Sequence, residues 1–155
     1  MTTYYLDTSA LAKRYVDETG SHWLRTTLAQ DPSPSLIIVH LALVEITSAL
    51  TRRRRDGSLT STEYRRIQDA FRADCLVEYR IVSAVDGIID EANRLLELYP
   101  LRAYDAVHLA AAFVANRQLL AEGLSPLTFL SADERLNEAA TAEGIAVDNP
   151  NHHIP

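Results

Sequence analysis

Short runs of apolar, strand-forming residues recur along this chain, at Thr3–Leu6, Leu36–Val39, Val77–Val82, Leu127–Leu130 and Ile145–Val147. Several are almost continuously apolar rather than alternating, the pattern of strands covered on both faces. Between them the apolar positions follow a helical period, which predicts helices over Ala10–Tyr15, His22–Ala29, Leu41–Arg55, Ser61–Leu76, Val85–Leu98, Tyr104–Leu120 and Ala132–Ala142. Two start signals reinforce this reading. Thr60 and Glu63 have capping-box spacing, with Leu59 and Tyr64 placed for a hydrophobic staple, and Ser131 with Glu134 repeats the box. No internal repeat or low-complexity segment interrupts the alternation. It therefore predicts βαβ units: an α/β fold whose central parallel sheet of four to five strands is flanked by helices on both faces. Ligands of such sheets bind beyond the carboxyl ends of the strands, where the strand order reverses.

Four acids are out of keeping with their surroundings. Asp7 in YYLDTSALAKRY closes the first strand, and Asp133 in TFLSADERL follows the fourth. Glu45 lies in LALVEITSAL, with no other charge between Leu41 and Leu50, and Asp105 opens the apolar helix YDAVHLAAAFVA. Ordinary roles exist for each. Asp7 suits a helix cap, Asp133 suits a first turn, and Glu45 and Asp105 could each pair with an arginine, Arg102 lying one turn before Asp105. Gathered in one place, however, four carboxylates repel one another, and burial makes each charge costlier. A hard divalent cation such as Mg²⁺ or Mn²⁺, which prefers carboxylate and water oxygens, relieves both penalties.

Composition narrows the picture further. With 155 residues, 47% hydrophobic and 23% charged, the chain suits one soluble globular domain, taken as 1–148, followed by a polar tail at 149–155. No apolar run reaches the roughly 20 residues of a membrane span, and no signal-like segment opens the chain, so a cytoplasmic protein is expected. Cys75 is the only cysteine, which excludes an internal disulfide or a cysteine-built zinc site. The net charge of −6 argues against a nucleic-acid partner only on average. Locally, Arg52, Arg53, Arg54 and Arg55 form a run, readable as a solvated helix end or as a phosphate track.

Asp7 in YLDTSAL, Glu45 in ALVEITSAL, Asp105 in LRAYDAVHLAAA and Asp133 in FLSADERL together resemble the acidic motifs of PIN-domain nucleases. The resemblance is closest to the VapC-type toxins of bacterial toxin–antitoxin pairs and runs in order from Tyr4 to about Val147. It implies a PIN-like three-layer fold and a Mg²⁺- or Mn²⁺-dependent endoribonuclease that leaves a 3′-hydroxyl and a 5′-phosphate. It further implies Asp7, Asp105 and Asp133 as metal ligands and Glu45 as acting through water or as a proton acceptor. Ser9 and Ser131 would support the carboxylates, and the Arg52–Arg55 run would meet RNA. A homodimer and a small VapB-like antitoxin that blocks the acidic pocket complete the implied picture. Some relatives carry a further acid near the end of the chain, a region that here contains Asp148.

Two other functions compete. A haloacid-dehalogenase-type phosphatase also uses a strand-terminal Asp, but wants a second Asp where this chain has Ser9, and a lysine near the site, for which Lys13 is the one candidate. A non-catalytic module could use the same acids to hold a cation. Among the remaining polar and aromatic residues, His108 reads as a packed core histidine, and His152 and His153 as parts of a mobile end. Trp23 and the tyrosines read as packing residues, with Tyr15 a candidate for stacking on a base.

Overall fold

The computed structural model describes residues 1–153. Its strands are β1 (Thr3–Leu6), β2 (Ser35–Val39), β3 (Tyr79–Val82), β4 (Thr128–Leu130) and β5 (Ala146–Asp148). The helices are α1 (Thr8–Tyr15), α2 (Ser21–Gln30), α3 (Ala42–Arg55), α4 (Ser61–Val77), α5 (Asp86–Leu98), α6 (Ala103–Ala121) and α7 (Glu134–Ala142). Over the described residues every strand pairing is parallel, and the strands lie in the order β3-β2-β1-β4-β5. Each predicted strand and helix is present, with ends shifted by at most a few residues.

The alternation of strand side chains divides the interior in two. Tyr5, Ile37, Val39 and Phe129 face a core completed by α5, α6 and α7, while Leu6, Leu36, Ile38 and Leu130 face a core completed by α1 to α4. This is why the strands read as continuously apolar: both faces are covered. Helix α6 is the most enclosed, with Ala106, Leu109, Ala110, Ala111 and Ala112 fully buried. Small residues let it lie close against the sheet, and that brings its amino terminus, with Asp105, to the carboxyl edge of the strands.

Starting from β1, the chain proceeds to β2 and β3 on one side, then crosses to β4 and β5 on the other. The order therefore reverses between β1 and β4, where the sheet opens at its carboxyl edge. Asp7 follows β1 there and Ser131 follows β4, and the Asp7 N–H still donates to the Leu130 carbonyl at 3.1 Å.

Local capping agrees with expectation at α4 and α1 and departs from it at α7. Thr60 and Glu63 make the full reciprocal capping box, and Leu59 and Tyr64 both pack on the core beneath. At α7 the cap is Asp133, whose side chain accepts from the Leu136 N–H, and Ser131 is drawn away to another partner. At α1 the cap is Asp7 and the helix begins at Thr8, so Ser9 has no capping function. The chain end also differs from the mobile tail expected of His152 and His153. Pro150–His152 forms a 3₁₀ turn against α2, and the His153 ring stacks on Trp23 at 3.8 Å between centroids. His152 bonds Glu134 at 2.6 Å and His153 bonds Asp148 at 2.7 Å, contacts that hold this segment in place. The rest of the expected tail, 154–155, lies outside the described residues. Among the described residues no helix is long and apolar enough to cross a membrane.

Candidate active site

Asp7 is a buried carboxylate held from both of its oxygens. Oδ1 accepts from the Ser9 hydroxyl at 2.6 Å and from the Ala10 N–H at 2.9 Å, and Oδ2 accepts from the Ser131 hydroxyl at 2.6 Å. Capping and presentation at the strand end are thus one arrangement, because the cap bond uses Oδ1 and leaves a lone pair on Oδ2. Burial pushes the Asp7 carboxyl above its ordinary value, against the lowering effects of the nearby His108 and of the three hydrogen bonds.

Ser9 and Ser131 connect the two strand-to-helix junctions. The Ser9 oxygen accepts from the Ala132 N–H at 2.9 Å, and the Ser131 oxygen accepts from the Asp133 N–H at 3.0 Å. Each serine therefore donates to Asp7 while holding the backbone that leads into α7. Asn137 donates to the Ser131 carbonyl at 2.8 Å and closes the network from below. Asp133 uses Oδ1 for the α7 cap at 3.1 Å.

Asp105 lies in the first turn of α6, half-buried. Burial raises its carboxyl above the ordinary value, the charges of Asp133 and Asp7 raise it further, and His108 and Arg102 lower it by less. Asp105 is therefore close enough to Asp7 and to Asp133 to be repelled by both. Among the described residues none of the three has a Lys or Arg ion-pair partner. The electrostatic influence of Arg102 falls short of a pair.

Glu45 is separated from these three by its environment. Its side chain is 21% exposed, and Oε1 meets His108 Nε2 at 2.6 Å and accepts from the Thr8 hydroxyl at 3.0 Å. His108 is buried, as the sequence suggested, but it is also part of the site. Its other nitrogen, Nδ1, lies 3.0 Å from the hydroxyl of the fully buried Tyr5. The only sequence signal for this was its place one turn after Asp105 on the same helix. Nothing local pointed to a partner 63 residues away.

The donor set fits a hard divalent cation. It consists of carboxylate oxygens, which among the described residues no Lys or Arg ion pair engages, with Asp7 held at a fixed angle. No three acidic, His or Cys side chains among the described residues already stand as a group that could hold a metal ion. Among the described residues Asp105 has no hydrogen-bond partner that would hold it toward Asp7 and Asp133, and its carboxyl is raised by burial and by their charges.

Among the described residues the phosphatase arrangement is absent. Ser9 stands in the second-acid position as a donor to Asp7, and Lys13 is committed to Glu18 at 3.1 Å and the Thr19 carbonyl at 2.8 Å. The arginine run is divided in purpose. Arg53 pairs with Glu18 at 2.6 Å and Arg54 lies over the Tyr64 ring at 4.3 Å, whereas Arg52 and Arg55 are exposed without such contacts. Tyr15 donates to Asp74 at 2.7 Å and packs edge-on against Phe71, so it serves the fold rather than a base.

Comparison with known proteins agrees with this geometry. The PIN domain family model matches residues 4–142. Ribonuclease VapC45 of Mycobacterium tuberculosis is 34% identical over 149 residues, covering 95% of each chain. Among solved structures, FitAcB from Neisseria gonorrhoeae superposes with a TM-score of 0.65 at 16% identity, covering 97% of this chain and 99% of that one. A toxin–antitoxin complex from Klebsiella pneumoniae superposes with a TM-score of 0.59 at 17% identity, covering 95% and 97%. With its sheet order, its acids at the β1/β4 opening and a family match across most of its length, this chain belongs to the PIN domain family.

Proposed function

We propose that the protein is a divalent-cation-dependent endoribonuclease acting as the toxin of a toxin–antitoxin pair. The observation that carries this reading is the group of three carboxylates, Asp7, Asp105 and Asp133, at the sheet's point of reversal, where Asp105 is repelled by both others and, among the described residues, none of the three has a Lys or Arg ion-pair partner. The likeness to a ribonuclease over 95% of the chain supports RNA as the substrate class. Asp7, Asp105 and Asp133 are the residues to hold Mg²⁺ or Mn²⁺. Such a cation supplies Lewis acidity toward a phosphodiester and makes water a competent nucleophile near neutral pH.

The protein's own residues do the rest. Ser9, Ser131 and the Ala10 N–H keep Asp7 in one rotamer, so that its remaining Oδ2 lone pair has a set direction. Asp133, capping α7 through Oδ1, keeps Oδ2 for the cluster. Glu45, turned toward the site from α3, is the group to accept a proton, acting through water. Arg52 and Arg55 are the members of the arginine run able to meet RNA phosphates, since Arg53 and Arg54 already have partners.

Two partner types follow. A small antitoxin that inserts an arginine or lysine would find acids that, among the described residues, have no Lys or Arg ion pair, and the toxin–antitoxin complex among the structural relatives supports this kind of partner. Exposed Ile89, Leu96 and Leu98 on α5, with Tyr104 at the start of α6, support a second copy of the chain docking on that side.

The test is incubation of the purified protein with structured RNAs and Mn²⁺ or Mg²⁺, with and without EDTA. Metal-dependent cuts that disappear in Asp7→Asn and Asp105→Asn are expected. Cation binding with no cleavage of any RNA would instead identify a non-catalytic module.

A further inference from the structure

Two buried side chains, Tyr5 and His108, form a line to Glu45, and the proposed chemistry gives neither of them a part. The Tyr5 hydroxyl lies 3.0 Å from His108 Nδ1, and His108 Nε2 lies 2.6 Å from Glu45 Oε1. Thr8 completes the junction, donating to the same Glu45 oxygen at 3.0 Å. We propose that His108, locked by Tyr5, is a positioning residue that fixes the Glu45 carboxylate and aims its second oxygen at the water from which Glu45 takes a proton. This rests on the nuclease reading above.

The direction of each bond follows from the chemistry of the groups. A carboxylate only accepts, so a 2.6 Å contact with Nε2 requires the proton on Nε2. In the neutral ring Nδ1 is then an acceptor, and Tyr5 donates to it through its one O–H. Tyr5 is fully buried, stacked on Phe129 at 5.5 Å and edge-on to the His108 ring at 6.0 Å, so its hydroxyl has little freedom to point elsewhere. The relay thus runs Tyr5 O–H to Nδ1 and Nε2–H to Glu45, with His108 confined to one tautomer. Oε1 of Glu45 is occupied twice, by His108 and Thr8, and among the described residues Oε2 has no hydrogen-bond partner. Rotation about the terminal bond of Glu45 is therefore restrained, and Oε2 is the oxygen presented to the site. Orientation of a reactive group through a histidine, itself oriented by a further donor, is a recurrent way to preorganise a site.

The test has two arms. In the first, long-range ¹H–¹⁵N imidazole spectra of the folded protein should show His108 as the single Nε2–H tautomer, unlike the exposed His22 and His40. Glu45→Gln should shift its ring proton upfield, and Tyr5→Phe should relax it toward a tautomer mixture. An Nδ1–H ring, or a mixture already present in the wild type, would overturn the proposal. In the second arm, His108→Leu should lower kcat for RNA cleavage by about 10- to 100-fold with KM changed by less than about twofold. His108→Gln, whose amide N–H reaches the Nε2 position, should recover most of that loss. Unchanged kcat in His108→Leu, or equal inactivity of Leu and Gln variants that melt like wild type, would also refute it. Should His108→Leu fail to fold, the spectra and the comparison of His108→Gln with Tyr5→Phe decide in its place. A wild type that shows the Nε2–H tautomer but cuts no RNA would refute the nuclease reading and leave the relay standing.

Discussion

Replacing Asp7 in two ways separates the cost of its charge from the value of its hydrogen bonds. In Asp7→Ala the α1 cap is lost, worth about 1 kcal/mol. The Ser9 and Ser131 hydroxyls also lose an acceptor, and Ser131 is fully buried. Stranding a buried donor costs about 1–3 kcal/mol. The sum is about 2–4 kcal/mol, and at roughly 2–4 °C per kcal/mol for a chain of this size the melting temperature should fall by about 5–15 °C. Asp7→Asn behaves differently. Its carbonyl oxygen can occupy the Oδ1 position and keep the Ser9 and Ala10 bonds. Its NH₂ then faces Ser131, whose oxygen already accepts from the Asp133 N–H at 3.0 Å, so one bond must be rearranged at a cost of about 1 kcal/mol. Against this, the substitution removes a charge that burial disfavours, as the raised Asp7 carboxyl attests. The two effects oppose, and without divalent cations Asp7→Asn should melt within about 4 °C of wild type. Thermal unfolding in EDTA and in excess Mn²⁺ measures both quantities. The wild type should rise with Mn²⁺ and both variants should not. If Asp7→Asn proves as unstable as Asp7→Ala in EDTA, the charge carries no cost and Asp7 is there for the fold alone. If Asp7→Asn still gains stability from Mn²⁺, Asp7 holds no cation.

The other expectations concern pH, RNA and the chain end. Asp7 and Asp105 both have folded-state carboxyls raised above their unfolded values, so their contribution to stability is fully present below the unfolded value and is lost as pH rises through the folded one. Asp31, Asp56 and Glu63, held low by hydrogen bonds from Ser33, Ser58 and Thr60, act in the opposite sense. The difference between wild type and Asp105→Asn isolates the site: Asp105→Asn should gain on wild type as pH rises from about 4 toward neutrality without cations, and a pH-independent difference would contradict this. Arg52→Ala and Arg55→Ala should each flatten the salt dependence of RNA binding by roughly one counterion or less, while Arg53→Ala should mainly loosen the Glu18–Lys13 corner. Equal salt slopes for Arg52→Ala and wild type would remove that residue from the RNA path. Gly20 has φ +83°, and a Cβ there would run into the Pro150 backbone. Gly20→Ala should therefore dislodge the 3₁₀ turn and unstack His153 from Trp23, read as a change in Trp23 fluorescence together with a lower melting temperature.

The pattern of apolar and polar positions determined the strands, the helices and the α/β class. Each of those depends on short-range periodicity and on whether a segment is covered on one face or two. The four acids were also visible, because a charge inside LALVEITSAL or at the head of YDAVHLAAAFVA conflicts with its immediate neighbours. What each acid does was decided by contacts that local patterns do not encode. Asp7 caps α1 and is also held for the site, because Ser9 donates to it while accepting from the Ala132 N–H, 123 positions away. Asp133 rather than Ser131 caps α7, because Ser131 donates to Asp7 across the β1/β4 opening. His108 looked like packing until the close approach of α6 to the sheet placed it between Tyr5 and Glu45. The run at Arg52–Arg55 looked uniform until Glu18 and Tyr64 engaged two of its members. In each case a side chain has several partners of comparable hydrogen-bonding strength, and only the strand order fixes which one comes within reach.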